Sequence, residues 1–180
     1  MDGHSPNHLF RNMDYLQSGN EKQKLAYSVL TNHRVMEILA DFDPILVGTI
    51  PINIDIETSD LDIICCYSDK EQFIHLLNQA FGDEQKFEWI ERKEINAVVC
   101  SFWLDNFELE IFGQPIPSNL QNGYRHMLIE HRLLCDRGEV FRQEIIALKK
   151  QGYKTEPAFA MALGLKGDPY KELLDFRFDK

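Results

Sequence analysis

A chain of 180 residues, 44% apolar and 27% charged, has the composition of an ordinary globular protein and enough length to bury a substantial core. Its formal net charge of −10 makes polyanions poor default partners, so a nucleic-acid partner is not expected without a local basic face. No apolar run reaches the roughly 18 residues of a membrane span, and the start, "MDGHSPNHLF", lacks the basic and apolar regions of a signal peptide, so a cytoplasmic protein is expected.

The first third reads as helical. Ser5-Pro6 can open a helix with Leu9, Met13 and Leu16 on one face and Gly19 as its stop. Asn20 and Gln23 have the spacing of a capping box for a second helix carrying Leu25, Val29 and Leu30. Val35, Ile38, Leu39 and Phe42 continue the helical period to Pro44. The pattern then changes. "ILVGTI" and "LDIICCY" are short buried-strand runs, and Ile52, Ile54 and Ile56 alternate between them as a strand or an extended loop. Ser68 and Glu71 suggest a capping box for a helix whose stripe is Phe73, Leu76, Leu77 and Ala80, with Gly82 after it. "KFEWIERK", "INAVVCSFWL" and "FELEIF" then predict an antiparallel meander, its last turn at Asp105-Asn106.

After Pro115 and Pro117 the chain reads as helical to its end. One helix starts near Ser118 or Gln121, and a second runs from about Glu139 to Gln151. Thr155 and Asp168 are the expected caps of two more. The fold class is therefore α+β, or mixed α/β. One domain is expected: N-terminal helices over 1–44, a mixed-sheet core over 45–112 and a C-terminal helical region over 118–180.

Asp60 and Asp62 are two apart on a strand, so they share a face about 6.6 Å apart. Two carboxylates that close repel unless they are solvated, protonated or bridged by a cation, and Mg²⁺ prefers such oxygen ligands together with substrate phosphates. "FELEIF" repeats the device with Glu108 and Glu110. Upstream, Gly48 lets backbone approach a phosphate closely and Thr49 adds a hydroxyl donor.

The order "VGT", ten intervening residues, "DLDI" and a later "FEL" or "LEI" resembles the nucleotidyltransferase superfamily with the polymerase β-like fold. "QNGYRHMLIEHRLL" and "GYKTEPAFAMALGLKGDPY" extend the likeness to a bacterial domain-of-unknown-function family within it. The resemblance implies a nucleotidyltransferase-like core in which Asp60, Asp62 and a third acid hold two Mg²⁺ ions, and Gly48 and Thr49 contact the phosphates of an NTP donor. Glu108 and Glu110 share a face; Glu110, nearer the carboxyl end of its strand, is the expected third acid. The implied reaction is Mg²⁺-dependent transfer of a nucleoside monophosphate to a small-molecule or protein hydroxyl. The alternative is a catalytically inactive nucleotide-binding or protein-interaction module on the same fold.

Arg125 and Lys154 are further nucleotide-binding candidates, with Arg132 on roughly the face of Arg125. His126 and Glu130, four apart, read as a surface pair. Trp89 and Trp103 read as core. Cys65, Cys66, Cys100 and Cys135 form no C-x-x-C pair and are expected to be buried free thiols.

Overall fold

The computed structural model describes residues 9–178. Ser5-Pro6, the expected first helix start, lies outside them; within them the segment holds only a 3₁₀ helix, Asp14–Ser18. Helix α1 (Glu21–Asn32) has the capping box expected of Asn20 and Gln23, with both reciprocal bonds made. The helical period does not continue unbroken to Pro44. Arg34 takes a left-handed φ of 54°, so only a single turn, α2 (Val35–Ile38), and a 3₁₀ turn over Ala40–Phe42 follow.

The core comprises β1 (Ile45–Val47), β2 (Leu61–Cys66), α3 (Lys70–Phe81), β3 (Gln85–Arg92), β4 (Ala97–Leu104) and β5 (Phe107–Gln114). These strands form one five-stranded mixed sheet in the order β1-β2-β5-β4-β3. The meander β3-β4-β5 is antiparallel as expected, with Asp105 at a positive φ in its last turn. β2 lies between antiparallel β1 and parallel β5. α3 and the β3-β4 hairpin carry the chain around, so that β5 comes back beside β2 in the same direction. Asp69, not Ser68, caps α3: its carboxylate accepts the N–H groups of Glu71 and Gln72.

One sheet face packs on the N-terminal helical segment and α3 through Leu46, Leu61, Ile63, Leu109 and Ile111. The other packs, through Ile45, Val47 and Ile64, on α4 (Asn122–Lys150), α5 (Thr155–Leu163) and α6 (Pro169–Leu174). Ile52 and Ile54 join this second core from turns rather than a strand. Helix α4 is two helices. Gly138, at φ 76° and ψ −166°, folds the chain back, a geometry that suits glycine. That reversal agrees with a separate helix from about Glu139. Asp168 caps α6 as expected, but Thr155 is the first residue of α5 and Lys154 holds its N-cap position.

Neither tryptophan is core. Trp89 is exposed on edge strand β3, and the half-buried Trp103 carries the Lys86 ammonium 4.8 Å from its ring centroid. All four cysteines are free, and Cys65 and Cys100 are buried. Cys66 is half-buried and Cys135 exposed, against the expectation that all would be internal.

Candidate active site

The second core covers β1 and β2 but leaves the same face of β5 open. The result is a cleft of about 670 Å³ between the sheet and the C-terminal helices. Strand alternation places Asp62 and Ile64, and on β5 Glu110 and Phe112, on this floor. Asp62 and Glu110 are register partners on the parallel pair β2 and β5. Asp60 adds a third carboxylate just before β2. Glu108 is exposed, registers with Trp103 and does not line the cleft.

The floor is strongly perturbed. The Asp62 carboxyl is pushed up to about 8, first by burial, then by the charges of Asp60 and Glu110. Glu110 is raised as well, again by burial first and then by Asp60. Among the described residues none donates a hydrogen bond to these three carboxyl groups. No three His, Cys, Asp or Glu side chains among those residues are already gathered as a metal cage. What the floor offers is crowded carboxylate oxygen, its charge only partly offset by Lys149 at Asp62 and by Arg92 and Lys154 at Glu110, the donor type that Mg²⁺ takes.

Gly48, at φ 85°, turns the chain away from β1, and a Cβ there would collide with Asp62 Oδ2. The Thr49 hydroxyl donates to Ser59 Oγ at 3.1 Å, and Ser59 Oγ also accepts the Ile56 N–H at 2.9 Å. The connection from Thr49 to Asp60 is held by side chains from both flanks. Gln23 donates to Ile50 O at 2.8 Å and Lys22 to Ile56 O at 2.6 Å. Arg142 donates to Ile52 O at 2.6 Å and Lys149 to Ile54 O at 2.9 Å. The isoleucine-rich spacer is therefore a fixed support for the turn and the acids at its two ends.

The opposite wall was not anticipated. His126 and Glu130, expected at the surface, are buried and line the cleft with Lys149, Lys154, Thr155, Glu156 and Tyr170. His126 Nε2 donates to the Tyr170 carbonyl at 2.8 Å, and its Nδ1 lies 3.5 Å from Glu156 Oε1. Burial pulls the Lys149 ammonium down to about 8, against the opposing pull of Glu130, Asp55 and Asp60. Arg125 is exposed, does not line the cleft and donates to Asn122 Oδ1 at 3.2 Å. Arg132 pairs with Asp136 and covers the Phe178 ring, outside the cleft lining. Lys149 and Glu130 could have been found from the sequence: each is a charged residue on an apolar stripe, with Phe141 and Ile145 in one case and Met127 and Leu134 in the other.

The profile of a domain of unknown function, DUF4269, matches residues 28–176. The chain belongs to the DUF4269 family. Several solved structures share its fold at low identity. The Cid1 poly(U) polymerase with Mg and 3′-dATP bound aligns with a TM-score of 0.56 at 11% identity, over 76% of this chain and 45% of that one. A chain of the GLD-2/RNP-8 complex gives 0.53 at 11% identity, over 88% and 60%. The polymerase core of TRAMP, an RNA surveillance complex, gives 0.52 at 13% identity, over 94% and 56%. The chain thus spans about half the length of these structures. Its fold is that of the polymerase β-like nucleotidyltransferases. No curated protein matches its sequence.

Proposed function

We propose that the cleft is a nucleotidyltransferase active site that moves a nucleoside monophosphate from an NTP to a hydroxyl of a small molecule or protein. The observation that carries this reading is the convergence of Asp60, Asp62 and Glu110 on one floor beside the Gly48-Thr49 turn. In the solved structures of similar fold, Cid1 is described with magnesium and a nucleotide. The crowded, donor-poor carboxylates here fit Mg²⁺, and Asp60, Asp62 and Glu110 would hold two such ions. Bound there, the metals would supply charge neutralisation at the attacking and leaving oxygens of an in-line displacement.

The residues of the chain then divide the remaining work. The N–H groups of the Gly48-Thr49 turn contact phosphate, and the Thr49 hydroxyl, donating to Ser59 Oγ, holds the turn in place. Ser59 accepts two hydrogen bonds and keeps its own proton to donate beside them. Lys149 and Lys154 balance the triphosphate charge from the opposite wall. Glu110 accepts the proton of the acceptor hydroxyl. That oxygen bonds the α-phosphorus, and the bond from phosphorus to the bridging oxygen of pyrophosphate breaks. The products are a nucleotidylated acceptor and pyrophosphate. Arg125, outside the lining, keeps a place in this scheme only as a rim charge through Asn122. The net charge of −10 favours a small molecule or protein over nucleic acid as acceptor.

The reading is tested by thermal unfolding with each of the four NTPs, with and without Mg²⁺. A nucleotide at 100 times its dissociation constant should stabilise the protein by about 2.7 kcal/mol. Stabilisation that requires Mg²⁺ and is lost in Asp62→Asn supports the reading. Silence with all four nucleotides refutes it and leaves an interaction module on the same fold.

A further inference from the structure

The wall facing the carboxylate floor carries acids that the donor nucleotide cannot use. Glu130 is 3% exposed, lines the cleft, and its Oε1 is buried with no hydrogen-bond partner among the described residues. A carboxylate so withdrawn from water is costly unless a donor or counter-charge meets it. The obvious candidate does not. Lys149 forms no ion pair with Glu130 among the described salt bridges; its Nζ turns to Ile54 O at 2.9 Å. Glu130, Asp55 and Asp60 each raise the proton affinity of Lys149, so its charge is shared among three acids.

Glu156 adds a second carboxylate, whose one partner among the described salt bridges is His126, with Nδ1 3.5 Å from Glu156 Oε1. A triphosphate is repelled by Glu130 and Glu156 themselves and would draw Lys149 and Lys154 toward itself, leaving Glu130 further short of positive charge. A neutral hydroxyl could donate to Glu130 Oε1 but would leave the charge uncompensated. An ammonium group offers three donors and the missing charge together.

Resting on the nucleotidyltransferase reading, we infer that Glu130 and Glu156 form the acceptor subsite and that the acceptor is an amino alcohol, held through its ammonium group while a hydroxyl of the same molecule faces Glu110. Burial and then the Glu156 charge push the Glu130 carboxyl well above the ordinary carboxylate range, and Lys149 offsets them only in part. The cleft, at about 670 Å³, has room for such a molecule beside a nucleotide's phosphates.

The test uses matched probe pairs that differ in one charge: glucosamine against glucose, and 4-amino-1-butanol against 1,4-butanediol. Calorimetric titrations are run on the full chain with Mg²⁺ and α,β-methylene-ATP, and again without them. The variants are Glu130→Gln, Glu156→Gln and, as a charge-matched control on the same helix, the exposed Glu144→Gln. The expected result is at least tenfold tighter binding of the amine in one or both pairs. Glu130→Gln should reduce that preference to less than threefold, and Glu144→Gln should leave it unchanged. Where Glu130→Gln fails to fold, by circular dichroism, Glu156→Gln carries the same expectation.

No amine preference in either pair overturns the inference, as does a preference that survives the folded variants. The nucleotide titrations separate the two ideas. Nucleotide binding without amine preference overturns the ammonium subsite alone. Amine preference that depends on Glu130, without any Mg²⁺-nucleotide binding, supports the subsite and overturns the donor reading.

Discussion

Asp62 on β2 and Glu110 on β5 are register partners across a parallel strand pair, so their carboxyl groups lie side by side on one face of the sheet. Glu110 raises the cost of ionising Asp62, and Asp60 raises that of both. A fold that keeps this repulsion stores strain where a cation would relieve it. The relationship separates two glutamates that strand alternation alone leaves equivalent. Glu110→Gln is expected to abolish nucleotidyl transfer while Mg²⁺-NTP binding falls only a few-fold, because the third acid serves the acceptor hydroxyl. Glu108→Gln, at the exposed register partner of Trp103, should change neither. A side-by-side transfer assay with nucleotide titrations checks the ranking, and equal activity in both variants would remove Glu110 from the mechanism.

Asp62→Asn should behave differently from an ordinary buried-polar change. At pH 7 a carboxyl pushed up to about 8 is mostly protonated in the folded protein and ionised in the unfolded chain, so folding must take up a proton, and the neutral amide removes that cost. The metal-free variant should be more stable than the parent at pH 7 by about 1–3 kcal/mol, read by urea unfolding. Added Mg²⁺ and NTP should no longer raise its melting temperature. A destabilised Asp62→Asn would make this carboxylate a structural group.

Gly48→Ala tests the turn that backs Asp62. The position has φ 85°, and the new Cβ meets Asp62 Oδ2. Backbone strain and this collision together should cost about 1–3 kcal/mol in equilibrium unfolding and weaken Mg²⁺-NTP binding more than tenfold. A variant of parental stability and affinity would show that the turn can rearrange without loss.

The sequence made the floor of the cleft legible and hid its far wall, for a physical reason. Strand alternation has a period of two, so Asp60, Asp62, Glu108 and Glu110 could be assigned to faces from spacing alone. The choice between the two glutamates needed the register of β2 on β5. That register depends on a crossover through α3 and the β3-β4 hairpin, which local pattern does not encode. On helices, His126 and Glu130 are four apart, and that spacing fits an exposed pair as well as a buried one. The apolar stripe that Glu130 shares with Met127 and Leu134 favours burial, and the reversal at Gly138, which brings Lys149 to the cleft that Glu130 lines, shows what the pair faces. The Trp89 and Trp103 expectation failed because hydrophobicity marks a core residue without saying how far the cover over a sheet extends: Trp89 is exposed on edge strand β3, and Trp103, on β4, points away from the core face of Phe102 and Leu104 and is half-buried.

Thiol chemistry gives an independent check of the packing. Native protein should react quickly at Cys135 and more slowly at Cys66, which is half-buried on β2. Cys65 and Cys100 should stay protected, since burial withholds both the thiolate and access to it; the Cys100 thiol is pushed up to about 12. Unfolded protein should show four equivalents. Mass mapping of labelled peptides reads the order, and early labelling of Cys65 or Cys100 would contradict the packing of the sheet.

The last prediction concerns Lys149 and pH. Burial lowers its ammonium from the ordinary lysine value to about 8 in the folded protein, while the unfolded chain retains a value near 10.5. Below pH 8 both states are protonated, and the cost of holding a buried charge is fully present. Between pH 8 and 10.5 the unfolded chain binds more protons than the folded one, so stability rises with pH through this window. The rise should be of the order of 3 kcal/mol in total. Other groups titrate in the same range, so the informative quantity is a difference. Lys149→Met lacks the titration and also loses the bond to Ile54 O, which offsets its curve by a constant. Parent minus variant should therefore be flat below pH 8 and climb from 8 to 10.5. Bound Mg²⁺-NTP should move the start of that climb upward, because a triphosphate facing Lys149 favours its charged form. A flat difference across the whole range would mean that Lys149 is well solvated in the folded protein, and would remove it from the wall of the cleft.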